Sequence, residues 1–203
     1  MHIVPVPPAA QLELIRPPAP GQLEVVRRFL NTRDVEAGTD ELGSAAALLA
    51  WIREHGLVQR EATVRATGAD VARVAAVREA LRALVRRNND VRDACDSVAL
   101  DAAGARSRFT MRFDGPDNTA TIVPTAPGID GAVGRMLATV HLAMLDGSWA
   151  RLKACADDTC DSAYYDRSKN GCSRWCSTEI CGNRSKVKRY RERQRAAPGR
   201  AAR

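Results

Sequence analysis

The chain of 203 residues is 45% hydrophobic but only 4% aromatic, a composition suited to a helix-rich protein cored with small aliphatic side chains. Its formal charge of +7 is uneven: residues 151–203 carry +8, residues 1–150 carry −1, and no lysine precedes Lys153, so the positive excess forms a local footprint for a polyanion. No stretch approaches the roughly 20 apolar residues of a membrane span, and the start lacks the basic opening and apolar run of a signal peptide. A cytoplasmic protein is therefore expected, in a reducing compartment where clustered cysteines read as metal ligands before disulfides; the abundance of Arg and Ala points to a high-GC bacterial source.

Residues 1–20 are Pro-rich and read as an irregular lead-in. Leu23, Val26, Phe29 and Leu30 then recur at helical spacing. Asn31–Thr39 reads as a loop. A second helix is predicted over Ser44–His55, with Leu48, Leu49, Trp51 and Ile52 inward and Gly56 as its stop. Thr67 or Asp70 opens the next helix. Its stripe is Val71, Val74, Val77, Leu81, Leu84 and Val85, and Arg73, Arg78, Arg82 and Arg86 fall mostly outside it. Asn88–Asp90 interrupts the pattern, and a shorter helix is expected to run through Leu100, with Cys95 as a small core residue.

The period then shortens to 2. Phe109, Met111 and Phe113 alternate with Arg108, Thr110 and Arg112, and after the turn-rich Asp114–Asn118 the strand-like Thr119–Val123 completes a β-hairpin. Asp130 or Gly131 starts a last helix through Val133, Leu137, Val140, Leu142 and Leu145, which Gly147 ends. The three histidines, His2, His55 and His141, have no catalytic motif around them. Phosphate-loop, dinucleotide and serine-elbow motifs are also absent, so no enzyme is expected.

Five of six cysteines lie between positions 155 and 181. Cys155 and Cys160 are separated by four residues, as are Cys176 and Cys181, with fifteen between the pairs. Two knuckles at this distance let four sulfurs converge on one zinc ion. The spacer, with Ala163–Tyr165 and Ser168–Gly171, reads as a hairpin. Cys172 either competes as a ligand or remains a free thiol; two matched pairs already complete a tetrahedron, which favours the thiol. Four sulfurs leave no open coordination position, so the zinc is structural. In finger peptides such binding is worth about 10–16 kcal/mol. Lys153, Arg174 and Arg184 flank the ligands and can soften the net negative charge of the centre.

Asn183–Arg195 is predicted to be helical. Asn183, Val187, Tyr190 and Gln194 form a stripe expected to pack on the zinc core. Arg184, Lys186, Lys188, Arg189, Arg191, Arg193 and Arg195 cover the other faces, with Glu192 as the only acid. With Arg174 these seven cations are the candidate nucleic-acid contacts, DNA ahead of RNA. The alternatives are a solvated basic tail, an RNA-binding or acidic-protein-binding module, and a zinc-thiolate redox sensor in which Cys172 serves as resolving thiol.

Arg151–Leu152–Lys153–Ala154–Cys155, Tyr165–Asp166–Arg167–Ser168–Lys169–Asn170, Trp175–Cys176–Ser177 and Cys181–Gly182–Asn183–Arg184 resemble the CGNR zinc-finger family of bacterial proteins over about residues 149–195. Upstream, Phe29–Leu30–Asn31–Thr32 and Leu49–Ala50–Trp51–Ile52 resemble the ABATE domain that usually precedes this finger. The resemblance implies zinc at Cys155, Cys160, Cys176 and Cys181 and a role in stress-linked transcriptional regulation. Cys172 and Thr178 depart from the family pattern, which usually has no cysteine at the first position and a methionine at the second.

The expected fold is α+β: a mainly helical domain over residues 21–148 with one β-hairpin, then a small four-cysteine finger of zinc-ribbon or treble-clef type over 149–195 that ends in a basic helix. Residues 196–203 are expected to be a disordered basic tail. The helical domain is expected to sense, to dimerise or both, with a small effector and a second copy of the chain as the partners in view.

Overall fold

The computed structural model describes residues 17–59, 62–89 and 97–196. Cys95, His2 and most of the Pro-rich lead-in and basic tail lie outside the described residues. The elements are α1 (Leu23–Asn31), a minimal bridge of β1 (Arg33–Asp34) with β2 (Thr39–Asp40), α2 (Ala45–Glu54), α3 (Gly68–Arg87), α4 (Val98–Ser107), β3 (Phe109–Asp114), β4 (Thr119–Pro124) and α5 (Gly128–Leu145). A 3₁₀ turn (Ser148–Arg151), β5 (Leu152–Ala154), β6 (Ala163–Tyr165), a π-helical turn (Thr178–Gly182) and α6 (Asn183–Ala196) complete the chain. The fold is α+β, a mainly helical N-terminal region with small antiparallel hairpins followed by the cysteine-rich segment and its helix.

Local chemistry sets most helix ends where the sequence places them. Ser44 caps α2 by accepting from the Ala47 amide at 3.1 Å. Thr67 caps α3 in a reciprocal box with Asp70. Gly56 and Gly147, at φ 65° and 80°, supply the left-handed residues after α2 and α5. Two helix boundaries differ from expectation. Among the described residues the helix after Asn89 is α4, which runs from Val98 to Ser107 and so extends past Leu100. The last long helix begins at Gly128, ahead of Asp130.

The core stripe of α3 is wider than its apolar residues. Val74, Val77, Leu81 and Val85 are buried as expected, but Arg78 and Arg82 are buried with them, at 2% and 1% exposure. Burying a cation requires partners. Arg78 donates to both oxygens of Asp40, at 2.8 and 2.6 Å, and to Thr32 Oγ1. Arg82 donates to the carbonyls of Leu30 and Asp161 and pairs with Glu79. A hydropathy stripe sorts both to the surface because it scores charge and ignores distant partners.

The β3–β4 hairpin forms in the register Phe109↔Pro124 to Asp114↔Thr119. Its apolar face remains largely open: Phe109, Met111 and Phe113 are exposed. Leu142 and Leu145 of α5 are exposed too; Ile129, Val133, Met136, Val140 and Ala143 are buried. Gly134 lets α5 approach the hairpin, since a Cβ there would lie 2.6 Å from Pro124 Cβ and 2.8 Å from Ser107 Cβ.

One hydrophobic core runs from α1 into the C-terminal segment. Trp149, Leu152, Ala154 and Ala163 share it with Phe29, Leu81 and Val85. Polar fasteners accompany it. Asn31 exchanges two hydrogen bonds with the Ala163 backbone, at 2.9 and 2.8 Å. Asn88 donates to the carbonyls of Trp149 and Leu152, and Asn89 to those of Ala154 and Arg174. The composition changes near residue 149; the core does not.

Candidate metal centre and basic helix

The first knuckle is held in a short hairpin. β5 pairs with β6 in the register Leu152↔Tyr165 to Ala154↔Ala163, so the hairpin encloses the Cys155–Cys160 turn. It is not the hairpin expected within the spacer. Inside the turn Asp157 accepts from the Thr159 amide and hydroxyl, and its carbonyl accepts from the Cys160 amide. Asp161 follows at φ 52°, a left-handed conformation that Asp tolerates better than most residues. Arg86 fixes it from α3, with Nε at 2.9 Å and Nη2 at 2.6 Å from the two carboxylate oxygens.

The second knuckle sits on the π-helical turn. Ser177 caps that turn by accepting from the Ile180 amide at 3.2 Å, and the turn brings the Cys181 sulfur within 3.6 Å of that of Cys176. Gly182 packs against the Trp175 ring. The loop between the knuckles is anchored by Lys153, which is buried and donates to Asp166 Oδ2 at 2.9 Å and to the carbonyls of Gly171 and Ser173. Lys153 does not face the sulfurs, contrary to expectation; the buried Asp166 carboxylate takes its charge instead. Burial works against the Asp166 charge, but hydrogen bonds from Ser168 and Lys153 hold its pKa below the usual carboxylate range.

Cys155, Cys160, Cys176 and Cys181 bring their sulfurs within 4.8 Å of one another. Cys160–Cys176 and Cys176–Cys181 are each 3.6 Å apart. A tetrahedron with about 2.3 Å metal–sulfur bonds has edges near ~3.8 Å, so the donor set fits a tetrahedral thiophilic ion. Three ligands are buried and Cys176 is half-buried. Crowding sets the thiols against one another: hydrogen bonds from Cys155 draw Cys160 and Cys181 toward thiolate, while the contact with Cys160 pushes Cys155 the other way. A bound cation resolves that conflict by stabilising four thiolates together. Cys172 is exposed and outside the cluster. The Ser162 hydroxyl lies 3.3 Å from Cys160 Sγ.

Among the nominated nucleic-acid contacts, Arg184 is half-buried and bonded within the fold. Its Nε donates to Asp157 Oδ2 at 2.5 Å, Nη1 to Glu36 Oε1 at 2.9 Å, and Nη2 lies 3.7 Å from Cys181 Sγ. Burial opposes its charge, but the bonds to Glu36 and Asp157 more than restore it and raise its pKa. This guanidinium ties both knuckles to the loop after α1 and softens the sulfur charge. Arg174, expected to share that softening, is exposed. Asn183 donates to the Glu179 carbonyl across the junction with α6.

Beyond Arg184 the helix leaves the body. Every residue from Lys186 to Arg195 is exposed, including Val187 at 40% and Tyr190 at 57%. The stripe expected to pack on the zinc core therefore does not, because α6 projects from the knuckle instead of lying along it. Lys186, Lys188, Arg189, Arg191, Arg193 and Arg195 stand on this segment against one acid, Glu192. Lys188 pairs with Asp158 at 3.0 Å between two exposed side chains, a contact of little strength. Arg189 lies over the Trp175 ring, 6.0 Å from its centroid. His55 takes no part in either site: it stacks on Trp51 and hydrogen-bonds to the Trp51 carbonyl oxygen. His141 is exposed.

Residues 151–194 match the family model for the CGNR zinc finger. Residues 23–159, more than half of the chain, match the ABATE model, described as "Putative stress-induced transcription regulator". Among curated proteins no relative matches the chain. No helix of the described residues is long and apolar enough to cross a membrane.

Proposed function

This chain belongs to the ABATE family and carries the CGNR zinc finger, and from that premise we propose that it is a zinc-dependent, DNA-binding transcriptional regulator of bacterial cytoplasm. The observation that carries the reading is α6: six cations on a segment exposed all round, launched from a four-sulfur centre. Zinc is the ion of choice because four thiolates at tetrahedral spacing suit it and no redox chemistry is asked of it. With all four positions taken by sulfur its role is structural, and an enzymatic role has no support in the site. Duplex DNA is favoured over RNA because a free-standing basic helix fits the major groove, whereas the major groove of A-form RNA is deep and narrow.

The helical region is assigned sensing, dimerisation or both. Support for self-association is the open face of Phe109, Met111 and Phe113. A second reading, a zinc-thiolate redox sensor, draws on the half-buried Cys176 and the exposed Cys172; zinc retained under mild peroxide removes it.

The test is duplex binding as a function of salt, with zinc-loaded protein, chelated protein and Cys181→Ser. Zinc-loaded protein is expected to bind with a slope of about 0.9 for each phosphate neutralised, and both controls to lose that binding. Binding indifferent to chelation overturns the proposal.

A further inference from the structure

A cleft of about 470 Å³ opens between α1, the Gly56–Leu57 turn, the β3–β4 hairpin and α5. That volume lies within the roughly 300–1,000 Å³ of small-molecule sites. Its walls include Val25, Leu57, Val123, Met136 and Leu142. Leu142 is 46% exposed at this cleft, while Val140 and Ala143 beside it on the helix are buried.

The charges in the lining have one sign. Among the described residues Arg112 and Arg135 are present and no carboxylate is. The two arginines are not equivalent. Arg135 donates to the Leu57 carbonyl and so braces the cleft. Arg112 is exposed, and its guanidinium makes no ion pair or hydrogen bond among the described residues. It lies directly across the strand pair from Thr121, which also lines the cleft, so the two side chains share one face of the hairpin. One uncommitted guanidinium matches one carboxylate in a bidentate pair. Among the described residues the lining holds no Asp, Glu, His, Cys or Ser to act as base or nucleophile, which suits binding better than turnover.

We propose that this cleft binds an apolar monocarboxylate, with its hydrocarbon portion against Leu57, Met136 and Leu142 and its carboxylate against Arg112 and Thr121. The ligand touches elements that also reach the finger. Val25 of α1 lines the cleft, while Asn31 at the end of the same helix holds Ala163 and Leu30 accepts from Arg82. Binding is thereby placed one helix away from the metal knuckle. This deepens the sensing role proposed above and rests on it only for its consequence.

The experiment is calorimetric titration of the zinc-loaded full chain with 2-naphthoate, and with 2-naphthylmethanol as its neutral counterpart. Naphthoate is expected to bind at one per chain and at least about tenfold tighter than the alcohol. Arg112→Gln, an exposed position, is expected to keep the melting temperature, to weaken naphthoate about tenfold and to leave the alcohol unchanged. Leu142→Gln is expected to weaken both. Absence of saturable naphthoate binding, equal affinity for acid and alcohol, or an Arg112→Gln variant that binds naphthoate like the parent overturns the proposal. Duplex binding measured without the probe tests the regulator reading separately, so either can fail alone.

Discussion

Arg86 and Asp161 form a two-pronged ion pair, at 2.9 and 2.6 Å, between the end of α3 and the residue that follows the ligand Cys160. Arg82, one helical turn earlier, donates to the carbonyl of the same Asp161. A long helix of the N-terminal region thus grips a metal knuckle through one left-handed residue.

Asp161→Asn tests that grip, since Asn tolerates the backbone conformation but removes the charge. Charge-assisted hydrogen bonds are worth about 1.5–3 kcal/mol. The variant is expected to lose stability of that order in urea unfolding and to release its metal to a chelator faster than the parent. Unchanged metal release would falsify the link between helix and knuckle.

Lys153→Met removes a buried cation, and with it the charged donor to the Asp166 carboxylate and one donor each to the Gly171 and Ser173 carbonyls. Breaking a buried pair in this way costs about 3–5 kcal/mol. The double variant Lys153→Met with Asp166→Asn is expected to recover part of the loss, because no buried charge is then left uncompensated. Thermal melts of the three proteins decide it.

Arg184 and Arg191 separate the structural cations from the binding ones. Arg191→Ala is expected to keep the melting temperature and to lower the salt slope of duplex binding by about 0.9. Arg184→Ala is expected to lower stability and metal retention through its lost bonds to Asp157 and Glu36. A salt slope that falls in Arg184→Ala with stability intact reverses the assignment.

Asp40 gives a pH signature. Hydrogen bonds from Arg78 hold its pKa below the ordinary value of 3.8. A depressed folded-state pKa means stability fully present above the unfolded-state pKa and lost as pH falls through the folded one. Urea midpoints are therefore expected to be flat in this contribution above about pH 5 and to drop below about pH 4. Asp40→Asn is expected to start lower at neutral pH and to fall less steeply in acid. Identical acid limbs for the two proteins contradict the assignment; comparison with the parent cancels the acid lability of the thiolates.

Much of the cysteine centre was legible because ligand spacing is a covalent fact. Cys155, Cys160, Cys176 and Cys181 stand in two equal pairs, and the folded chain brings those four sulfurs together while leaving Cys172 outside. Helix starts at Ser44 and at Thr67 or Asp70 were legible for a similar reason, since the capping partners are three residues away; the structure makes Ser44 and Thr67 the caps. The burial of Arg78 and Arg82 was not, because Asp40, Leu30 and Asp161 are 38, 52 and 79 residues distant.

Sequence alone determined which cysteines cluster, where the charge accumulates and where most helices run, since these depend on composition and near-neighbour spacing. Tertiary structure decided the rest: that Arg184 braces the centre, that Val187 and Tyr190 face solvent, and that the finger shares its core with the helical region. Such outcomes depend on contacts between distant segments, and the direction in which α6 leaves the knuckle follows from the turn at Thr178–Gly182, not from the helix's own pattern.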